Sequence, residues 1–266
     1  MGRCGRISLT LVLLAGLLAS VGATYATASQ SGATGTFTLS ADLPVRYPPT
    51  TCPPGTPSSI DCFARTGSEI IRGLGNVTEA YPYLVDGSPA GCGGDEVRVL
   101  PATVRLSVTG KGEIELRLDG SGCLARVPPN PVEGVETFTV TGGSGKYVGA
   151  SGGGTIRHVS FGPPDWGGRD TWSGTLVVPG LEFDLTAPVV TGARNKTVRA
   201  HRGKKRVRFK YTVSARDAVD GARPVDCRPK SGSWFRVGRT RVRCSAADTS
   251  GNESKATFIV VVKRAR

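Results

Sequence analysis

Along most of the chain apolar residues recur at every second position, the period of half-buried strands, and no long stretch shows a helical period. Thr36-Phe37-Thr38-Leu39 opens the alternation. Residues 97–108 place Val104, Leu106 and Val108 on one face, and residues 113–119 place Ile114, Leu116 and Leu118 on another. The Thr109-Gly110-Lys111-Gly112 turn between them predicts a β-hairpin. Residues 136–140 and 155–161 predict two strands flanking a glycine-rich segment, and residues 176–183 a second hairpin turning at Pro179-Gly180. Residues 44–57 are dense in proline, and Cys52 and Cys62 bracket the end of that stretch, which predicts a rigid loop held by a local bridge.

Beyond residue 186 the strands shorten and their spacing becomes regular. Residues 195–198 make one, and Val207, Phe209, Tyr211 and Val213 alternate in the next. Further runs follow at 225–227, 231–238, 240–244 and 256–262, with turns at Asp220-Gly221 and Ser250-Gly251-Asn252. Short strands at this spacing describe an immunoglobulin-like β-sandwich. The patterning therefore predicts an all-β chain with a barrel or sandwich over 29–185 and an immunoglobulin-like domain over 186–266. A proline at Thr186-Ala187-Pro188 interrupts the run between them.

The first residues follow another rule. Arg3 and Arg6 precede an apolar run over 7–21, and small residues continue to Ala28. This order predicts a secretory signal peptide over 1–28, cut after Ala28, with Ala23 as the alternative. The run is too short for an ordinary spanning helix and no second one occurs, so a secreted protein without a transmembrane segment is expected, in solution or at the cell surface. The 37 Gly and 18 Pro fit a chain rich in turns. Cys4 leaves with the signal. Cys52, Cys62, Cys92, Cys123, Cys227 and Cys244 remain, an even number with neither C-x-x-C nor zinc-finger spacing, which predicts disulfides.

Charge separates the two regions. Residues 29–184 hold 11 Lys and Arg against 16 Asp and Glu, a net of −5, whereas residues 185–266 hold 21 against 5, a net of +16. A half so basic is expected to face something anionic. Period-two spacing puts Arg206, Arg208 and Lys210 on one face of a strand, with Lys204 and Lys205 just before it, and Arg239, Arg241 and Arg243 on one face of another. As neighbours in one sheet these rows would make a broad positive surface whose pull on polyanions weakens with salt. A solvated face kept for solubility would carry the same charges. Such strands lack the interleaved aromatics of single-strand nucleic-acid binders. The expected partner is therefore an anionic surface polymer or glycan, or an extracellular protein, rather than nucleic acid.

Candidate chemistry is sparse. His158 lies in a strand with Ser160, Asp165 and Asp170 nearby, but no nucleophile elbow surrounds it, and His201 sits in a basic turn. No catalytic residue and no cofactor are expected. Asp217, Asp220 and Asp248 occupy Asp-x-x-Asp-Gly and Asp-x-Ser-Gly-Asn turns, where carboxylates accept backbone amides. Without EF-hand spacing no metal site is expected. The glycine segment has Val140 and Tyr147 where a phosphate loop needs Gly and Ser or Thr, so it reads as a turn between strands. Asn76, Asn195 and Asn252 begin glycosylation sequons by pattern.

Two resemblances sharpen these readings. Phe138, Val140, Gly142, Gly143, Gly145, Tyr147, Gly149, Ala150 and Gly152, with the run from Trp172 to Leu176, are similar to the motif of small secreted barrels of the allene oxide cyclase and dirigent type. This resemblance spans about forty residues and implies an eight-stranded antiparallel β-barrel with an internal cavity; no catalytic residue of those families aligns, and the cysteine-bearing loops are a departure. Asp217, Cys227, Ser231-Gly232-Ser233, Phe235, Gly238, Thr240, Val242, Cys244, Asp248, Ser250-Gly251-Asn252, Phe258 and Val260 resemble the hyalin repeat, an immunoglobulin-like extracellular module linked to adhesion and without catalytic residues. Ala256 stands near where many members place another cysteine, which leaves Cys227 and Cys244 to bridge each other. The resulting expectation is a secreted, non-enzymatic protein held on an anionic partner by its basic module. The alternative is an exported enzyme or carrier with a small apolar ligand in the barrel cavity, against which a barrel interior filled by side chains would count.

Overall fold

The computed structural model describes residues 35–94, 96–125, 132–161 and 166–265. The expected signal peptide and Asp165 lie outside the described residues. Ten strands form the first half: β1 (Thr36–Arg46), β2 (Ile60–Ile71), β3 (Gly75–Asp86), β4 (Glu96–Val99), β5 (Ala102–Val108), β6 (Gly112–Leu118), β7 (Leu124–Ala125), β8 (Val132–Gly143), β9 (Ser151–Phe161) and β10 (Gly167–Val177). Eight of them close a barrel in the order β1-β2-β3-β5-β6-β8-β9-β10, with β10 returning to β1 and every pairing antiparallel. Each strand thus follows its sequence neighbour, which keeps the connections short. The closing β1–β10 ladder is complete, from Thr36↔Val177 to Arg46↔Gly167, whereas β1 and β2 share only Val45↔Gly67 and Arg46↔Thr66.

The expected hairpin is β5–β6, with Val104, Leu106, Val108, Ile114, Leu116 and Leu118 all buried on the inner face. The run expected over 97–108 is two strands instead of one. Pro101, which has no N–H to give a ladder, separates β4, paired beyond the barrel to β3 and β7, from β5. The hairpin expected over 176–183 does not form. β10 ends at Val177, Val178 N donates to Gly35 O, and Gly35 N donates to Leu181 O. The returning chain is therefore tied to the start of β1, and Phe183 stacks on Phe37 with ring centroids 4.9 Å apart.

Inside the barrel, period-two positions set the filling. Read away from the glycine turn, the inward residues are Val140, Phe138 and Glu136 on β8, Gly154, Ile156 and His158 on β9, and Leu176, Gly174, Trp172 and Asp170 on β10. Phe138 and Trp172 pack 5.2 Å apart. Gly154 stands opposite Gly174, and a Cβ on either would come within 2.9 Å of the Phe138 ring, so the glycine pair makes the room this ring occupies. Leu43, Leu74, Leu116, Leu118 and Tyr147 complete the apolar filling.

The second half contains β11 (Val189–Thr191), β12 (Lys196–Arg199), β13 (Arg206–Arg208), β14 (Ser214–Asp217), β15 (Gly221–Arg223), β16 (Asp226–Arg228), β17 (Trp234–Arg236), β18 (Gly238–Ala247) and β19 (Glu253–Lys263). They form a β12-β19-β18-β16 sheet, a β11-β14-β15 sheet and a β13-β17 ribbon. These close as a sandwich over Phe235, Val242, Phe258, Val260 and Val262. The alternation expected through 207–213 persists, but the ladder breaks after Arg208, where the Ser231 hydroxyl accepts from Tyr211 N and donates to Tyr211 O in place of a strand partner. Disulfides join Cys52 to Cys62, Cys92 to Cys123, and Cys227 to Cys244, the last pair standing in register on β16 and β18. No helix among the described residues is long and apolar enough to cross a membrane.

Candidate functional site

The eight basic residues singled out by spacing are all exposed, and none makes an ion pair among the described residues. They do not share a sheet. β13, carrying Arg206 and Arg208, pairs with β17, whereas Arg239, Arg241 and Arg243 lie on β18 between β16 and β19. The inward residues of both groups, Val207 and Phe235 on one side and Val242 and Phe258 on the other, meet in the same core. The two rows therefore occupy the two outer faces of the sandwich, and no single broad surface forms. Each face gains cations that spacing did not single out: Arg236 stands opposite Arg206, and Arg228 stands opposite Arg243. Like charges placed directly across a ladder destabilise it, so these pairs are kept at some cost to the fold.

The β13–β17 face has the more definite shape. His201, Lys204, Lys205, Arg206, Arg208, Trp234 and Arg236 line a cleft of about 710 Å³, with Gly203 and Val207 completing the lining. None of these residues carries a negative charge. The Trp234 side chain is 57 % exposed, and the Arg206 guanidinium lies 4.8 Å from its ring centroid. Arg208 Nε donates to Gly232 O at 2.9 Å, which fixes that guanidinium along the ribbon. Stacking on the indole orients Arg206 while leaving its N–H groups to an anion. Lys210 lies just past this ribbon, on the same outward period as Arg206 and Arg208.

A second polar constellation lies inside the barrel. Arg65 Nε donates to Glu79 Oε1 at 3.1 Å, and Arg65 also ion-pairs with Asp170. His158 Nδ1 lies 3.0 Å from Asp170 Oδ1, and His158 Nε2 lies 2.9 Å from Glu136 Oε1. The Arg65 guanidinium lies 5.3 Å from the Tyr81 ring centroid and 5.2 Å from that of Tyr83. Burial opposes the Arg65 charge, but the surrounding Tyr81, Glu79 and Tyr83 outweigh it and raise the group above its ordinary value. Burial pushes the Tyr81 and Tyr83 phenols up, away from ionisation.

His158 and Asp170 were visible in the sequence, but the grouping they belong to was not. Arg65, Glu79 and Glu136 come from strands whose inward charges interrupt the apolar pattern. Both ring nitrogens of His158 face carboxylates, Asp170 on one side and Glu136 on the other. A crevice of about 610 Å³ opens at the β1–β2 seam, lined by Val45, Thr66, Gly67 and Gly168 among others. A Cβ on Gly67 would stand 3.1 Å from Glu79 Oε1, so this side of the crevice lies close to the buried charges.

A closed meander barrel joined to a disulfide-bridged immunoglobulin-like sandwich with cationic outer faces defines a two-part all-β protein. Residues 183–262, 80 of the 266, match the family model described as HYR domain, so the C-terminal part of the chain is a HYR domain. No curated protein and no solved structure matches the chain significantly.

Proposed function

We propose that the protein is an exported, non-enzymatic surface-binding protein whose HYR domain holds an anionic carbohydrate polymer in the cleft between β13 and β17. The observation that carries this reading is the Arg206–Trp234 stack, 4.8 Å from guanidinium to ring centroid, in a cleft lined by basic side chains. Guanidinium groups take carboxylate or sulfate oxygens two at a time, and an exposed indole offers a flat apolar face to a sugar ring. Polymers of this kind are abundant outside cells, which agrees with an adhesion-type module. On this reading the barrel is a platform. Its axis is filled by Phe138, Trp172, Tyr147 and the paired charges around Arg65, which counts against a cavity for a small apolar ligand.

Retention of the full chain on heparin-agarose, read as the salt concentration needed for elution, tests the proposal. Combined reversal of Arg206, Arg208 and Arg236 to Glu is expected to abolish retention at near-physiological salt. Reversal of Arg239, Arg241 and Arg243 on the opposite face should lower the eluting salt only in part. Unchanged elution of the first variant sinks the reading. Equal retention on single-stranded DNA would show a surface that selects charge without selecting carbohydrate.

A further inference from the structure

Two of the aspartates that patterning assigned to turns, Asp217 and Asp248, lie with a third, Asp184, where the barrel meets the HYR domain. Asp184, on the segment leading out of the barrel, joins Asp217 at the end of β14 and Asp248 in the β18–β19 loop, with one carboxylate oxygen of each lying within 4.8 Å of the other two. Each carboxylate is held by neighbouring groups. Asp217 Oδ1 accepts Val219 N and Asp220 N at 2.8 and 2.9 Å, Asp248 Oδ1 accepts Ser250 N and Asn252 N at 2.8 Å, and Asp184 Oδ1 accepts Thr186 N at 3.0 Å. This is the turn role expected of Asp217 and Asp248, but it uses only part of what the three provide.

The remaining oxygens point to a ligand. Asp217 is 3 % exposed, yet its Oδ2 is buried without a hydrogen-bond partner, and so is Oδ2 of Asp184. No Lys or Arg makes an ion pair with any of the three among the described residues. Lys111 Nζ, the neighbouring cation, donates to Leu74 O and Ser250 Oγ instead. Three carboxylates gathered with two oxygens buried and unpaired repel one another and lack solvation, unless a cation sits among them. Ca²⁺ accepts carboxylate and carbonyl oxygens in a flexible shell, whereas Mg²⁺ demands a near-ideal octahedron and gives up its waters reluctantly. Carboxylates brought together from three separate turns suit the more tolerant ion.

We infer that Asp184, Asp217 and Asp248 form a calcium site that locks the HYR domain to the barrel. The loop bearing Asp248 already docks on the barrel, with Gly73 N donating to Ser250 O at 2.6 Å and Arg72 Nε donating to Asn252 Oδ1 at 3.1 Å. Asn252 Nδ2 in turn donates to Asp184 O at 2.9 Å, so the connecting segment, the loop and the barrel edge converge on the same carboxylates. A bound ion joins ligands from three places far apart in sequence and holds the junction rigid. Backbone carbonyls and water complete the six to eight oxygens that calcium takes.

Calorimetric titration of CaCl₂ into the chelator-treated full chain tests this. One ion is expected to bind, with a dissociation constant of about 0.1–1 mM, the range of extracellular calcium modules. Asp184→Asn and Asp217→Asn should each weaken binding at least tenfold, and MgCl₂ should bind at least tenfold more weakly than CaCl₂. Asp220→Asn should bind like the parent, because both Asp220 oxygens are occupied by Thr249. Calcium should also slow proteolysis of the connecting segment in the parent and not in Asp184→Asn. Asp184 is only half-buried, so its variant keeps the test open if Asp217→Asn fails to fold. Absence of binding at 10 mM CaCl₂ in folded protein overturns the inference, as does parental affinity in Asp184→Asn.

Discussion

Arg65 and Asp170 form an ion pair inside the barrel, with side chains 2 % and 1 % exposed. Asp170 also faces His158, and Arg65 also holds Glu79, so one guanidinium offsets carboxylates contributed by β3 and β10. Replacing one partner of such a buried pair strands the other's charge, at a cost of about 3–5 kcal/mol. Arg65→Met should therefore lower the urea midpoint steeply at constant m-value. Arg105→Met is the control, because the Arg105–Glu115 pair is exposed and such pairs contribute at most about 1 kcal/mol. Equal midpoints for the two variants would show that the buried pair contributes nothing beyond an exposed one.

The same residues explain what was hidden in the sequence. The β5–β6 hairpin was legible because six aliphatic side chains fall on one face at period two with glycines between the runs. β2 and β3 have equally good geometry, but their inward positions include Arg65, Gly67 and Glu79, and patterning reads an inward charge as an interruption. The barrel's charged layer was therefore invisible for the reason that makes it unusual. The Cys52–Cys62 bridge followed from local spacing, and the Cys227–Cys244 bridge from family resemblance. The separation of the two basic rows was not legible, because period two fixes the face of a strand and says nothing about its neighbours. The approach of Asp184 to Asp217 and Asp248 depends on how two domains meet, which local pattern does not encode.

Gly154→Ala tests the glycine pair beneath Phe138. A Cβ at that position would stand 2.1 Å from Ser173 O, in the ladder between β9 and β10, and 2.9 Å from the Phe138 ring. Overpacking of this kind costs about 1–3 kcal/mol, and backbone that cannot yield puts this site at the upper end. Gly122→Ala, with nothing within 4 Å of the added carbon, is the neutral comparison. Thermal unfolding of both variants reads the difference; a melting temperature for Gly154→Ala equal to that of Gly122→Ala would mean the strands can part to admit a methyl group.

Alkaline pH should unfold the barrel through its phenols. Burial pushes the Tyr147 hydroxyl up to about 12, and Tyr81 and Tyr83 are raised by burial in the same direction. Below about pH 10, the ordinary phenol value, these groups are neutral in both states and the stabilisation is complete. Above it the unfolded chain ionises first, so stability falls as pH rises toward the folded values. Urea midpoints between pH 9 and 12 should decline, and Tyr147→Phe should decline less steeply than the parent. Parallel curves would remove Tyr147 from the account.

The Cys227–Cys244 bridge closes a sequence separation of 17 residues in the HYR domain, and in the chain-entropy model a loop of that length contributes about 3 kcal/mol. Replacing both cysteines with serine should destabilise this domain by roughly that amount, plus the loss of two buried sulfurs from the core around Phe258 and Val242. Hydrogen exchange resolved by region locates the effect. Faster exchange is expected in β16, β18 and β19, and exchange in β8 and β9 should be unchanged. Uniform loss of protection across both domains would mean that they unfold as one cooperative unit.

Trp234 and Arg206 should fail in different ways in the proposed polymer cleft. Arg206→Ala removes a charge that takes part in counter-ion release, so the dependence of heparin affinity on salt should become shallower as well as the binding weaker. Trp234→Ala removes no charge. It takes away the ring that orients Arg206, an interaction worth about 0.5–1 kcal/mol at an exposed site, and with it the apolar face offered to a sugar. Affinity should fall at least two- to fivefold while the salt slope stays that of the parent. Elution at several salt concentrations separates the two slopes. A Trp234→Ala variant that binds heparin as tightly as the parent would reduce the cleft to a patch of charge and leave the indole without a part in recognition.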